Sequence, residues 1–273
     1  MTSENGMEKT ESVKQDGNLA RYRVVELFSG VGSQRIAFNI VSQRTGIQFD
    51  FVTQCDIDKW AIKSYNAIHG DTPNLGDVSQ LDKLPDCDIL TWSFPCQSLS
   101  QAGRKEGMAK DSDTKSSLAW EVLRLLENSH KPEWLVMENV PAITNKENVK
   151  DFRQIITALS SLGYYSKYKV LDATDFGVPQ TRQRCFMVSR YAKNVPDFPK
   201  PTGLNTVLGA YLESDPDAKF YLSPERVKNI VLESERERER KRIPFRSSKP
   251  EWAGALHHHQ PGQKMFDLCN RGW

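Results

Sequence analysis

From Tyr22 to Arg190 the chain alternates short apolar runs with stretches of helical periodicity, and nothing else in it constrains the fold as strongly. The runs Arg23–Phe28, Phe49–Cys55, Asp88–Ser93, Trp134–Glu138, Tyr165–Leu171 and Arg184–Val188 read as strands. Between them Lys59–His69, Ser117–Ser129 and Lys150–Leu162 read as helices, the last stopped by Gly163. A further helix follows the first strand. Strands separated by helices of about 10–15 residues need crossover connections, and crossovers build a mostly parallel sheet. The expectation is a three-layer α/β domain.

The flanks differ in character. Residues 1–20 are polar and read as a disordered tail, residues 21–195 as the α/β domain, and residues 196–273 as a linker and a less regular region. Pro196, Pro199 and Pro201 punctuate that linker. In Glu233–Arg242 like charges fall four residues apart, so helical pairing partly cancels and a solvated helix or loop is expected. His257, His258 and His259 are adjacent, point in different directions in any regular element, and suggest no metal site. No apolar run approaches the roughly 18 residues of a membrane span, and the N-terminus lacks the apolar core of a secretory signal. The five cysteines are odd in number, widely spaced and without a CxxC pair, so a reducing intracellular compartment is expected. Net charge is only +2, from 37 basic and 35 acidic residues. Bulk electrostatics therefore makes no case for nucleic acid, and any such case must come from local motifs.

Those motifs cluster at strand ends, where open α/β sheets carry their sites. The first strand runs into Glu26-Leu-Phe-Ser-Gly-Val-Gly-Ser33, in which Gly30 and Gly32 allow a tight turn and close approach of a ligand at a helix N-terminus. A ligand-free strand-to-helix turn would look the same. The second strand ends at Asp56, placed either to grip ribose hydroxyls or to cap the next helix. The third delivers Pro95-Cys96-Gln97 into a polar loop, where proline restricts the backbone and aims the thiol. A thiol near its ordinary pKa of about 8.5 is mostly protonated at neutrality, so a nucleophilic Cys96 wants positive charge nearby. Glu138 ends another apolar strand, a costly place for a carboxylate without a polar role. Arg182 and Arg184 stand two apart and share a face if extended.

Taken in order, FSGVG, CDID, GDV, FPCQSLSQAG, MENVP and QTRQR resemble the DNA (cytosine-5-)methyltransferases. That resemblance implies a Rossmann-like S-adenosylmethionine-dependent methyltransferase fold plus a smaller target-recognition domain. It assigns Cys96, Glu138, Arg182 and Arg184 to catalysis on a cytosine flipped out of double-stranded DNA. Cys96 would add to carbon 6 of the base. Glu138, kept protonated by burial, would serve ring nitrogen 3. Arg182 would steady the thiolate and the base's carbonyl oxygen, and Arg184 would hold the cysteine loop or Glu138. Phe28, Gly30, Gly32, Asp56, Ile57, Asp77, Val78 and Pro95 are assigned to S-adenosyl-L-methionine, and Gln97, Ser100 and Asn139 to the substrate; no metal is implied. Ser33 stands where the family usually has another glycine.

The family's chain normally ends with a full recognition domain and a closing Asn-containing motif. Lys219–Ile230 resembles the entry to the recognition region, but no counterpart of the closing motif precedes Trp273. The expectation is a bacterial or phage cytoplasmic methyltransferase, associated with restriction–modification and completed by a second polypeptide. One alternative is a truncated or decayed relative acting as a non-catalytic DNA-binding or regulatory module. Another is a dinucleotide-dependent oxidoreductase, which would explain Gly30, Gly32 and Asp56 but not Glu138 or the paired arginines.

Overall fold

The computed structural model describes residues 20–95 and 118–240. Six strands form one sheet: β1 (Arg21–Leu27), β2 (Gln48–Cys55), β3 (Ile89–Trp92), β4 (Trp134–Asn139), β5 (Tyr164–Asp172) and β6 (Gln183–Tyr191). Their spatial order is β2-β1-β3-β4-β6-β5. The β1–β2, β1–β3 and β3–β4 ladders are parallel, whereas β6 runs antiparallel to both β4 and β5. The mostly parallel sheet expected from the alternation is present, with one strand reversed.

Helices α1 (Ser33–Thr45), α2 (Lys59–His69), α3 (Leu118–Glu127) and α4 (Val149–Ser161) complete this part. In α2 the Asp58 carboxylate accepts the backbone N–H groups of Trp60 and Ala61, satisfying two donors that the helix leaves open. In α4 Phe152, Ile155 and Leu159 recur at helical spacing and are fully buried. Each contributes roughly 1.5–3 kcal/mol by leaving water. They join Leu125 and Leu126 of α3 and Leu135 and Met137 of β4 in the main core. On the opposite face Phe38 of α1 packs edge-on against Phe49 and Phe51 of β2, and Tyr65 of α2 bonds to Glu26 of β1.

Alternation along β4 sends Leu135, Met137 and Asn139 into the core and leaves Trp134, Val136 and Glu138 half-buried on the other face. Consecutive residues Glu138 and Asn139 thus serve opposite sides of one strand tip.

The chain divides into two compact units. The first contains the sheet and runs to Asp172, then from Arg182 to Lys200. The second comprises Ala173–Thr181 and the chain from Pro201. Its longest element is α5 (Pro224–Arg240), with proline in the first turn and Ser223 Oγ accepting the Arg226 N–H at 3.3 Å. The charge-alternating stretch is therefore helical as far as Arg240. Residues 1–19 and the three adjacent histidines lie outside the described residues.

Candidate cofactor turn and reacting strand tips

Leu27 ends β1 and the chain turns at once: Phe28, Gly30 and Gly32 have φ of 57°, 55° and 77°. Ser29 N–H donates to the Cys55 carbonyl at 3.2 Å and Ser29 Oγ to Gln54 Oε1 at 2.8 Å, so the turn is tied to the end of β2. Gly30 N–H donates to Asp56 Oδ2 at 2.8 Å, and Asp56 Oδ1 accepts the Asp58 N–H at 2.9 Å. Because Asp58 caps α2, Asp56 is released from capping and ties the tip of β2 to the glycine turn.

A Cβ placed on Gly30 would meet nothing within 4 Å, so the space beside this backbone is open. The α1 helix starts at Gly32 with no side-chain cap of its own. Open space, uncapped amides and a half-exposed carboxylate suit a ligand carrying a carboxylate at one end and ribose hydroxyls at the other, as S-adenosylmethionine does. Ile57 is 75% exposed beside Asp56. Asp77 caps the short turn after it, accepting from Ser79 N–H (2.9 Å) and Oγ (2.8 Å). The Val78 side chain is buried in the core, and Phe28 packs against that core.

The second group lies at the tips of β3, β4 and β6. Asn139 is 2% exposed, and its Nδ2 donates to the Phe94 carbonyl at 3.1 Å, tying the chain leaving β3 to the end of β4. Glu138 Oε1 accepts from Arg184 Nε at 2.8 Å, with a quarter of each side chain open to solvent. Glu138 is therefore less buried than its expected role required, since the tip of β4 faces outward on that side. Arg182 precedes β6 and is exposed; its backbone N–H donates to Asp172 Oδ1 at 3.3 Å. Pro95 is half-buried just beyond Phe94. Cys96, Gln97 and Ser100 lie outside the described residues.

The three described cysteines are unsuited to nucleophilic work. Burial, reinforced by nearby acids, pushes the Cys55 and Cys87 thiols up to about 12 and Cys185 up to about 11.

Residues 22–259 match the family model for C-5 cytosine-specific DNA methylase. The chain belongs to that family. It is 36% identical over 205 residues to the type II methyltransferase M.NlaX of Neisseria lactamica, covering 74% of this chain and 63% of that protein. Against M1.ScrFI of Lactococcus lactis subsp. cremoris it is 36% identical over 211 residues, covering 75% and 52%. The chain thus spans between half and two thirds of the length of these curated relatives. Among solved structures it resembles the Dnmt2 methyltransferase of S. pombe, with TM-score 0.60 and 24% identity, covering 77% of this chain and 64% of that one. At that identity the likeness speaks for the fold, that of the S-adenosylmethionine-dependent methyltransferases. Membership in the C-5 cytosine methylase family displaces the oxidoreductase reading and does not favour the non-catalytic one.

Sequence reasoning passed over several residues that hold the site. Asn74 Oδ1 accepts the backbone N–H groups of Asp56 (3.0 Å) and Gly76 (3.2 Å), and its Nδ2 donates to the Asp56 carbonyl (3.0 Å). It therefore joins the CDID and GDV motifs. Gln54 is fully buried beneath Ser29. Glu26 and Tyr65 are likewise buried. A polar residue inside an apolar run was the one signal, visible for Glu26 and Gln54 and absent for Asn74.

Proposed function

We propose that this chain is a DNA cytosine-5 methyltransferase acting on a cytosine flipped from double-stranded DNA. The observation that carries the reading is the bond from Asn139 to the Phe94 carbonyl, beside the Glu138–Arg184 pair. It fixes the chain leaving β3 at the end of β4, the strand whose other face carries Glu138. The inertness of Cys55, Cys87 and Cys185 supports the choice of Cys96 as nucleophile.

S-adenosylmethionine supplies an electrophilic methyl group on a sulfonium. Gly30 and Gly32 would admit its methionine portion, Asp56 the ribose hydroxyls, Asp77 the adenine amino group, and Phe28, Ile57, Val78 and Pro95 the surrounding wall. Carbon 5 of cytosine is too electron-poor to react unaided. Addition of the Cys96 thiolate to carbon 6 makes carbon 5 nucleophilic, provided ring nitrogen 3 takes a proton or strong hydrogen bond from Glu138. Arg182 steadies the thiolate and the base oxygen, and Arg184 orients Glu138. Gln97, Ser100 and Asn139 line the base pocket or hold its loop. Loss of the carbon 5 proton and expulsion of Cys96 then free the product. The test is covalent capture of duplex DNA containing 5-fluorocytosine with the donor present. Capture is expected for the natural chain and lost in Cys96→Ser, and undiminished capture in Cys96→Ser would overturn the mechanism.

Residues 21–195 form the catalytic domain in this reading and residues 196–273 part of the target-recognition region. A second polypeptide as partner of this region is supported by one feature. Among the described residues of the second unit none is buried, and Val207, Tyr211 and Phe220 are 64%, 65% and 66% exposed. Apolar groups in that state ask for a cover. Methylation by this chain is expected to rise when the complementary polypeptide is added. A cytoplasmic place in a restriction–modification system accords with the type II relatives and with the described helices, none of which is long and apolar enough to cross a membrane.

A further inference from the structure

The N-cap of α1 is Gly32, whose φ of 77° requires a residue without a side chain and so forfeits a side-chain cap. The carboxylate of Glu26, on the preceding strand, lies close enough to Arg35 in the first turn of α1 for that residue to favour its charged form. A negative group at that end of a helix also meets the positive pole of its dipole. Glu26 is 1% exposed, and a carboxylate so deeply buried is costly without partners. The Tyr65 hydroxyl, on α2, donates to it in a short hydrogen bond. Arg35 Nη1 donates in turn to the Tyr65 hydroxyl oxygen at 3.2 Å and to Thr72 Oγ1 at 2.8 Å, with its guanidinium 4.8 Å from the centre of the Phe51 ring.

The same helix face presses on the turn itself. A Cβ on Gly32 would stand 2.3 Å from His69 Nε2 and 2.8 Å from Tyr65 Cε2. His69 Nε2 lies 3.2 Å from the Val31 carbonyl oxygen, within donating distance. Apolar residues of equal volume could fill this space at no loss of stability. A buried charge with directional bonds does something packing does not: it gives the turn a single position.

We propose that Glu26, Tyr65 and Arg35 are positioning residues for the methyl donor, fixing the start of α1 so that the Gly30–Gly32 backbone meets the donor's methionine portion in one geometry. The proposal rests on the cofactor assignment above and deepens it. Because the network touches the glycine turn and not Asp77, its effect must depend on which part of the ligand is present.

The experiment compares the full chain with Tyr65→Phe and Glu26→Gln, both close in shape to the natural residues. Affinities for S-adenosylhomocysteine and for adenosine are measured by calorimetry, and amide hydrogen exchange is followed over residues 28–34. Each variant is expected to weaken S-adenosylhomocysteine binding about tenfold, the worth of one ordinary hydrogen bond, to leave adenosine within about twofold, and to speed exchange in the turn. Equal losses for both ligands, or no loss with unchanged exchange, would reduce the network to a structural role and overturn the proposal. If the natural chain bound neither ligand, the cofactor assignment itself would fall. Variants that keep the natural discrimination defeat only the positioning role.

Discussion

At the β1–β2 end of the sheet the polar groups are sealed: Glu26 is 1% exposed and bonded to Tyr65, and Gln54 is fully buried and held by Ser29 and Asn66. At the β4–β6 end the corresponding pair, Glu138 and Arg184, keeps 26% and 25% of its side chains in solvent. In the proposed reaction the first region has to present backbone amides, and a backbone holds still only when its neighbours are fixed. In that proposed reaction the second has to exchange partners when a base arrives, and a half-open ion pair can be parted at small cost. Rigid support and replaceable contacts thus divide along one sheet edge.

The sharpest way to break that contrast is Glu138→Gln. Removing a positioned proton donor is expected to lower the rate of covalent capture about 10²–10⁴-fold, while urea unfolding moves by less than about 1 kcal/mol. A large stability loss would show that Glu138 belongs with the sealed groups.

The two glycines of the turn sharpen it next. Gly32→Ala combines a left-handed backbone with a clash against His69 and Tyr65 and should cost roughly 2–4 kcal/mol. Gly30→Ala meets open space and should cost only about 1–2 kcal/mol. Urea titrations that found equal losses would mean α2 does not brace the turn.

Glu26 supplies a pH test. Burial, opposed by Tyr65 and Arg35, raises its pKa in the folded chain above the ordinary value of 4.5. The folded chain then holds a proton that the unfolded chain has released, so stability falls as pH rises from 4.5 through the raised folded value and levels off beyond it. Glu26→Gln removes that fall. Its stability relative to the natural chain should therefore improve as pH rises from 4.5 through the raised folded value, measured as the difference in urea midpoints. A difference that stays flat would mean Glu26 is not sealed.

The smallest effect concerns thiols. Iodoacetamide at about pH 8 should leave Cys55, Cys87 and Cys185 unmodified in the folded chain, since their thiols are held far above that pH. Mass spectrometry showing any of the three alkylated as fast as Cys96 would remove one support for Cys96 as nucleophile.

Much of this was legible because local rules suffice for local features. All six strands and the limits of α2 follow from apolar and helical period, and the order of motifs pointed to the family. The reversal of β6 was not legible, since period and composition do not encode strand direction. Nor was the choice between two roles for Asp56, which turned on Asp58 being the better-placed cap by backbone geometry alone.

By itself the sequence determined which residue types stand at the strand ends and hence which chemistry is available: a thiol after proline, a carboxylate, two guanidinium groups and two glycines. Only the tertiary structure decided which of them share a partner. Asn139 reaching Phe94, Asn74 joining two motifs and Tyr65 closing over Glu26 are all contacts between distant segments. Their directions are set by how strands and helices pack, and no short-range pattern carries that information.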